Sequence, residues 1–202
     1  MTTSIIRRFA TVSLAAVAAG AVGCSSTVRE GRSPAYLIIQ SFEAAPGNEP
    51  DDLSNELSSD VVTQGGIFED LGVVTFVSGL KDIGAPGTTP TPTSNNFITV
   101  NRYHVTFRRS DGRNTPGVDV PYAFDGAGTV TVADKASALT FVLVRPQAKN
   151  EPPLRNLRGG GASQAVSTIA DVTFYGTDQV GNEVAVTGSI SVNFADWADP
   201  ES

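Results

Sequence analysis

Residues 183–194 (EVAVTGSISVNF) constrain the fold of this chain more than any other stretch. Val184, Val186, Ile190, Val192 and Phe194 occupy alternate positions, with Gly188 in the same register. Glu183, Thr187, Ser189, Ser191 and Asn193 occupy the positions between them. A two-residue period is that of a β-strand, whose successive side chains point to opposite faces; a helix would scatter both sets around its axis. The segment therefore predicts a strand with one buried and one solvated face. The preceding stretch, 166–176, places Ala170, Val172 and Phe174 on one face in the same way. Residues 177–182 (TDQVGN) supply turn chemistry between the two, so they are expected to form a hairpin.

The same reading predicts further strands over 35–43, 58–63, 72–82, 97–109, 118–124, 128–133 and 138–145. Pro121 lacks an N–H for a ladder and argues for an edge position in the 118–124 strand. Segments 72–82 and 138–145 are apolar on both faces, as in a central or well-covered strand, with Leu139, Phe141 and Leu143 on one face of the second. Three stretches read as loops. They are 44–52, the low-complexity 83–96 (IGAPGTTPTPTSNN), and 146–163. In the last, Asn150 is expected to cap a single helical turn begun by Pro152 and Pro153, which Gly159–Gly161 end. Many β-branched residues, 20 Gly and 12 Pro suit short strands and tight turns. The expected fold is all-β, an antiparallel β-sandwich over residues 34–198 with a short tail at 199–202. The segment Tyr175-Gly-Thr-Asp178-Gln-Val-Gly181-Asn182-Glu-Val-Ala-Val also resembles the last hairpin of bacterial Ig-like domains, which implies an Ig-like or fibronectin III-like arrangement.

The N-terminus has a different character. Arg7 and Arg8 precede an apolar run of 11 residues, 9–19 (FATVSLAAVAA), too short for the ~20 residues a membrane-spanning helix needs. Its length is that of the apolar region of a secretory signal. Small residues follow, then Cys24. The sequence Ala21-Val22-Gly23-Cys24 resembles a bacterial lipobox, with Ala21 standing where Leu is usual. The resemblance implies cleavage between Gly23 and Cys24, a diacylglycerol on the Cys24 thiol and often acylation of the new amino group. Cys24 is the chain's one cysteine, so no internal disulfide is available to it. Two or three acyl chains, at ~0.8 kcal/mol per buried CH₂, hold a protein stably at a bilayer. Ser25 stands where Asp marks inner-membrane retention, and so implies an outer-membrane address in the cell envelope. Residues 1–23 are thus expected to be a signal peptide and 24–33 a lipidated tether, whose coil spans on the order of 15–18 Å.

Charge limits the partners. The formal net charge is −7, and removing Arg7 and Arg8 leaves 12 basic against 21 acidic residues, or −9. Such a surface repels phosphate backbones, so no nucleic acid partner is expected. The expected contacts are the membrane, through lipid at Cys24, and an envelope protein or glycan.

No catalytic constellation emerges, and no cofactor is expected. The single histidine, His104, shares a strand face with Arg102, Thr106 and Arg108, opposite Tyr103, Val105 and Phe107. It reads as a solvated sheet residue. One His without a free thiol makes a poor zinc site, and no Gly-x-Ser-x-Gly elbow occurs. Acidic turns at Asp111–Asn114, Asp125-Gly126 and Asp178–Glu183 would offer calcium oxygen ligands in a second reading. The same residues are ordinary turn formers, whose side chains bond the local backbone. Tyr36, Tyr103, Tyr122, Tyr175 and Trp197 are candidates for a glycan platform, although most fall at strand positions. Trp197, beyond the last strand, is expected to plug one end of the sandwich. The reading is a non-catalytic module, with a calcium-dependent adhesin, a carbohydrate-binding domain or a hydrolase as alternatives.

Overall fold

The computed structural model describes residues 32–82, 85, 87 and 91–197. Eight strands are present: β1 (Ala35–Ala45), β2 (Glu56–Asp60), β3 (Asp70–Leu80), β4 (Ile98–Arg108), β5 (Phe124–Val132), β6 (Ser137–Val144), β7 (Val166–Asp178) and β8 (Glu183–Ala195). They form a three-stranded sheet, β1-β3-β6, and a five-stranded sheet, β2-β8-β7-β4-β5. All neighbours are antiparallel except β2 with β8. The fold is therefore an all-β sandwich. Its strand order is that of an immunoglobulin-type domain in which the first strand is divided between the sheets.

The two inner faces make the core. Ala170, Val172 and Phe174 of β7 are fully buried, and Val184, Ile190, Val192 and Phe194 of β8 are buried with them. Val186 is half-buried and packs on the same core. Thr187, Ser189 and Ser191 are exposed on the other face, so the alternation read from the sequence matches the fold. Phe76 of β3 meets Phe174 edge-to-face, with ring centroids 5.0 Å apart, and Phe141 of β6 meets Phe174 at 5.2 Å. Tyr103 of β4 packs on Phe141 at 4.9 Å. Aromatic contacts thus tie the two sheets together.

Two bulges decide which residues reach that core. In β4, Ile98 and Val100 are buried at even positions, yet Tyr103, Val105 and Phe107 are buried at odd ones. The register shifts between Val100 and Arg102, and the extra residue, Asn101, moves the apolar set from one parity to the other. A shift between Ile39 and Ser41 does the same in β1, so that Ala35, Leu37 and Ile39 face inward before it and Phe42 and Ala44 after it.

Several expected elements differ. The strand expected at 128–133 begins earlier, at Phe124, as β5, and the strand expected at 118–124 does not form: 109–123 is a connection containing Pro121. Gly126 does not interrupt β5: a Cβ there would lie 2.1 Å from Cζ of Tyr103, so the glycine admits a core ring. β3 is the central strand of its sheet as expected, but β6 is an edge, with Ala138 and Thr140 exposed. The helical turn begins earlier than expected. Helix α1 (Pro146–Asn150) has Arg145 at its N-cap and Pro146 at its first position, and Asn150 closes it, donating from Nδ2 to the Pro146 carbonyl at 3.0 Å. A 3₁₀ turn at Leu154–Leu157 follows, burying both leucines. Ser33, expected as the last tether residue, is buried, and its Oγ accepts the Ala35 N–H at 3.3 Å; it belongs to the sandwich. Part of the expected 83–96 loop lies outside the described residues; its end is a 3₁₀ turn at Ser94–Asn96.

Candidate functional site

Gly23 and Cys24, the expected cleavage and lipidation residues, lie outside the described residues, as does the signal segment 1–23. Among the described residues, no helix is long and apolar enough to cross a membrane.

The outer face of the five-stranded sheet is a ladder of polar pairs. His104 lies on this face with Arg102, Thr106 and Arg108, as the alternation predicts. Its Nδ1 is 3.2 Å from Asp125 Oδ1, which also accepts from Arg102 at 3.1 Å. The Arg102 guanidinium lies over the Tyr175 ring, 4.1 Å from its centroid. Arg108 donates to Asp171 at 2.6 Å and Ser189 Oγ donates to the same carboxylate at 2.5 Å. Burial pushes the Asp171 carboxyl up, but the two donors and the Arg108 charge more than offset this and hold it below the ordinary range. These contacts fix strand register and leave the imidazole pointing at a carboxylate that is already shared.

The acidic turns use their carboxylates locally. Asp111 accepts from both Arg109 and Arg113, which hold its carboxyl far below the usual range. Asp178 accepts from the backbone of Val180 and Asn182 at 3.0 and 2.8 Å and from Asn182 Nδ2 at 2.8 Å. Among the described residues no group of three or more His, Cys, Asp or Glu side chains converges as a metal site would require.

The aromatic residues do not form one platform. Tyr103 is core, whereas Tyr36 and Tyr122 are exposed on separate elements. Trp197 is half-buried. Its backbone N–H donates to Asp60 Oδ1 at 3.1 Å, and its indole Nε1 is buried without a partner among the described residues, so the ring is inserted at the end of β2 and β8.

The outer face of the three-stranded sheet is different again. Tyr36 and Ile38 of β1 are 43% and 40% exposed there, beside half-buried Leu71, Val73 and Val77 of β3 and Val142 of β6. Glu43 is its one charged residue among the described strands.

One buried polar centre had no signal in the sequence. Asp70 opens β3, Ser59 lies in β2 and Lys149 in α1; all three are at most 1% exposed. Asp70 Oδ1 accepts from Lys149 Nζ at 2.8 Å and from the Gly47 N–H at 3.0 Å, and Oδ2 accepts from Ser59 Oγ at 2.6 Å. Burial pushes the Asp70 carboxyl above its ordinary range, against the Lys149 charge and the three donors. Helix α1 is held in place by Arg158, which donates to the Lys149 carbonyl at 3.0 Å and to Asn150 Oδ1 at 2.8 Å. Gly47 also lines a cleft of about 470 Å³ with Asn48, Glu49, Thr63, Gln64, Gly66 and Phe68. Its apolar wall, Phe68, is 45% exposed.

No family model and no curated protein matches this chain. Among solved structures it is similar to the sporulation control protein Spo0M of Bacillus subtilis, at 13% identity and a TM-score of 0.28. The match covers 79% of this chain and 49% of that one, so it spans about half the length of that protein. A likeness at this level carries no argument about function.

Proposed function

We propose that this protein is a lipid-anchored component of a bacterial cell envelope, held at the outer membrane through acylated Cys24, with its β-sandwich acting as a non-catalytic binding or assembly module. One observation carries the reading. The chain's single cysteine follows an 11-residue apolar run and the small residues Ala21-Val22-Gly23, and stands nine residues before the buried Ser33 that begins the sandwich. A thiol there has no disulfide partner, and lipidation is the chemistry that uses it. The binding role is supported by the sheet face of Tyr36, Ile38 and Val77, which is poor in charge on a chain otherwise rich in acids. A protein or glycan of the envelope is the ligand class this face suits.

The test is mass spectrometry and fractionation of the full chain made in a bacterial host. The expected mature N-terminus is Cys24 carrying acyl groups, and the protein sediments with membranes. Cys24→Ser is expected to release it to the soluble fraction. A mature N-terminus at another residue, or membrane association that survives Cys24→Ser, would refute the reading.

A further inference from the structure

We propose that Lys149 and Asp70 condense with each other, forming an internal amide bond between Nζ and Cγ that cross-links helix α1 to strand β3. The reacting groups are already in contact, at 2.8 Å, with side chains 2% and 1% exposed. Their hydrogen bonding is lopsided. The carboxylate receives three donors, whereas the ammonium, which carries three N–H groups, has Asp70 as its one hydrogen-bond partner among the described residues. A buried ion pair is stable only when its remaining protons are also satisfied. Here two of them have no protein partner among the described residues, and condensation, which leaves a single uncharged amide N–H, reduces that cost.

Neutralisation comes first. In water the lysine holds its proton against a carboxylate by about 6.5 pKa units. Burial disfavours the charged Asp70 carboxylate, and attack proceeds from the form in which one proton has moved from Nζ to Oδ1 along the existing hydrogen bond. The amine lone pair then adds to Cγ. The proton moves to Oδ1, so the oxyanion develops on Oδ2 and faces one donor already in position, the Ser59 hydroxyl, while the Gly47 N–H faces the departing Oδ1. The nitrogen passes a second proton to the hydroxyl on Cγ, the C–O bond breaks, and water leaves. One N–C bond forms, one C–O bond breaks, and one water is released; no oxidant, reductant or co-reactant takes part. Juxtaposition supplies the effective concentration, and exclusion of water opposes the reverse hydrolysis. The product replaces three ammonium donors by one amide N–H and carries no charge. Its carbonyl oxygen remains available to one of the two donors.

The bond is read directly by mass spectrometry of the full-length protein after proteolysis. A branched peptide is expected in which the Asp70 and Lys149 segments are joined and together weigh one water less than their sum. Trypsin is expected to fail to cut between Lys149 and Asn150. Lys149→Met and Asp70→Ala should each restore linear peptides. Because either variant also disturbs a buried site, Ser59→Ala provides a second measure: both reacting groups remain, and the unlinked fraction is expected to rise. Linear Asp70 and Lys149 peptides of unaltered mass from folded wild-type protein would overturn the proposal. Full linkage in Ser59→Ala would overturn the part assigned to the hydroxyl.

Discussion

Phe194→Ala is the sharpest test of the two-sheet arrangement. Phe194 lies near the end of β8, wholly buried, with its ring 5.8 Å from that of Phe107 on β4. Its neighbours in the sheet are Val166 on β7 and Ser59 on β2, so the strands on both sides hold the backbone in place. Truncation leaves a void that this paired backbone cannot collapse around. Emptying such a site costs about 3–5 kcal/mol, of which an edge-to-face aromatic contact accounts for ~0.5–1.5 kcal/mol. Ser191, three residues earlier, points to the other face and is exposed, so Ser191→Ala is expected to stay within about 0.5 kcal/mol of wild type. For a domain of this size, roughly 2–4 °C accompanies each kcal/mol, so Phe194→Ala should lower Tm by roughly 6–20 °C. Paired urea melts with unchanged slope, supported by thermal scans, would measure both. Equal destabilisation by the two variants would mean that both faces of β8 are buried, and the one-sided packing described above would fall.

Three further substitutions test particular contacts. Gly176→Ala puts a Cβ 2.4 Å from the Thr99 carbonyl oxygen, a backbone atom that cannot swing aside, and is expected to cost about 1–3 kcal/mol. Gly128→Ala meets the flexible end of Leu139 at 3.2 Å and should cost measurably less in the same melts. Asp178→Ala removes the acceptor for three donors of the β7–β8 turn and is expected to cost about 1–2 kcal/mol at neutral pH. Burial raises the Asp178 pKa, but hydrogen bonds from Asn182, Ser33 and Val180 more than offset this and hold it below the ordinary 3.8. The folded value lies under the unfolded one, so this stabilisation is complete above pH ~4 and is lost as pH falls below it. The gap between wild type and Asp178→Ala should therefore narrow in melts at successively lower pH; a gap that stays constant below pH 3.8 would refute the assignment.

Legibility of the fold in the sequence followed the regularity of the backbone. β7 and β8 pair without a register shift along their whole length, so their alternation in sequence is their alternation in space. In β1 and β4 a single extra residue reverses the parity midway, and simple period-two counting assigns half of each strand to the wrong face. The start of β5 was obscured by Gly126, which resembles a turn residue until the ring of Tyr103 is seen to need the space. His104 was readable because its face followed from its neighbours. The Asp70–Lys149–Ser59 centre was not. Its members are scattered over three elements, and the ion pair spans 79 positions. A lysine in an aperiodic segment looks like a solvated one, and no spacing rule connects residues that only tertiary packing brings together.

The composition of the core explains why that centre matters. In antibody-type sandwiches a disulfide joins the second and sixth of the seven constant-type strands across the sheets, and a tryptophan on the third packs against it. This chain has no cysteine beyond Cys24 to form such a bond. The equivalent strands here are β3, β7 and β4, and they present Phe76, Phe174 and Tyr103, whose rings meet at 5.0 and 6.3 Å around Phe174. Each buried aromatic contributes burial energy of ~1.5–3 kcal/mol, so the cluster replaces the cohesion of a disulfide-centred core. It does not replace the covalent constraint, because rings separate freely when the chain unfolds. A disulfide acts on the unfolded state, and only another covalent bond across distant segments does the same. Among the described residues, Asp70 and Lys149 are a buried pair with the chemistry, the distance and the sequence separation for that role.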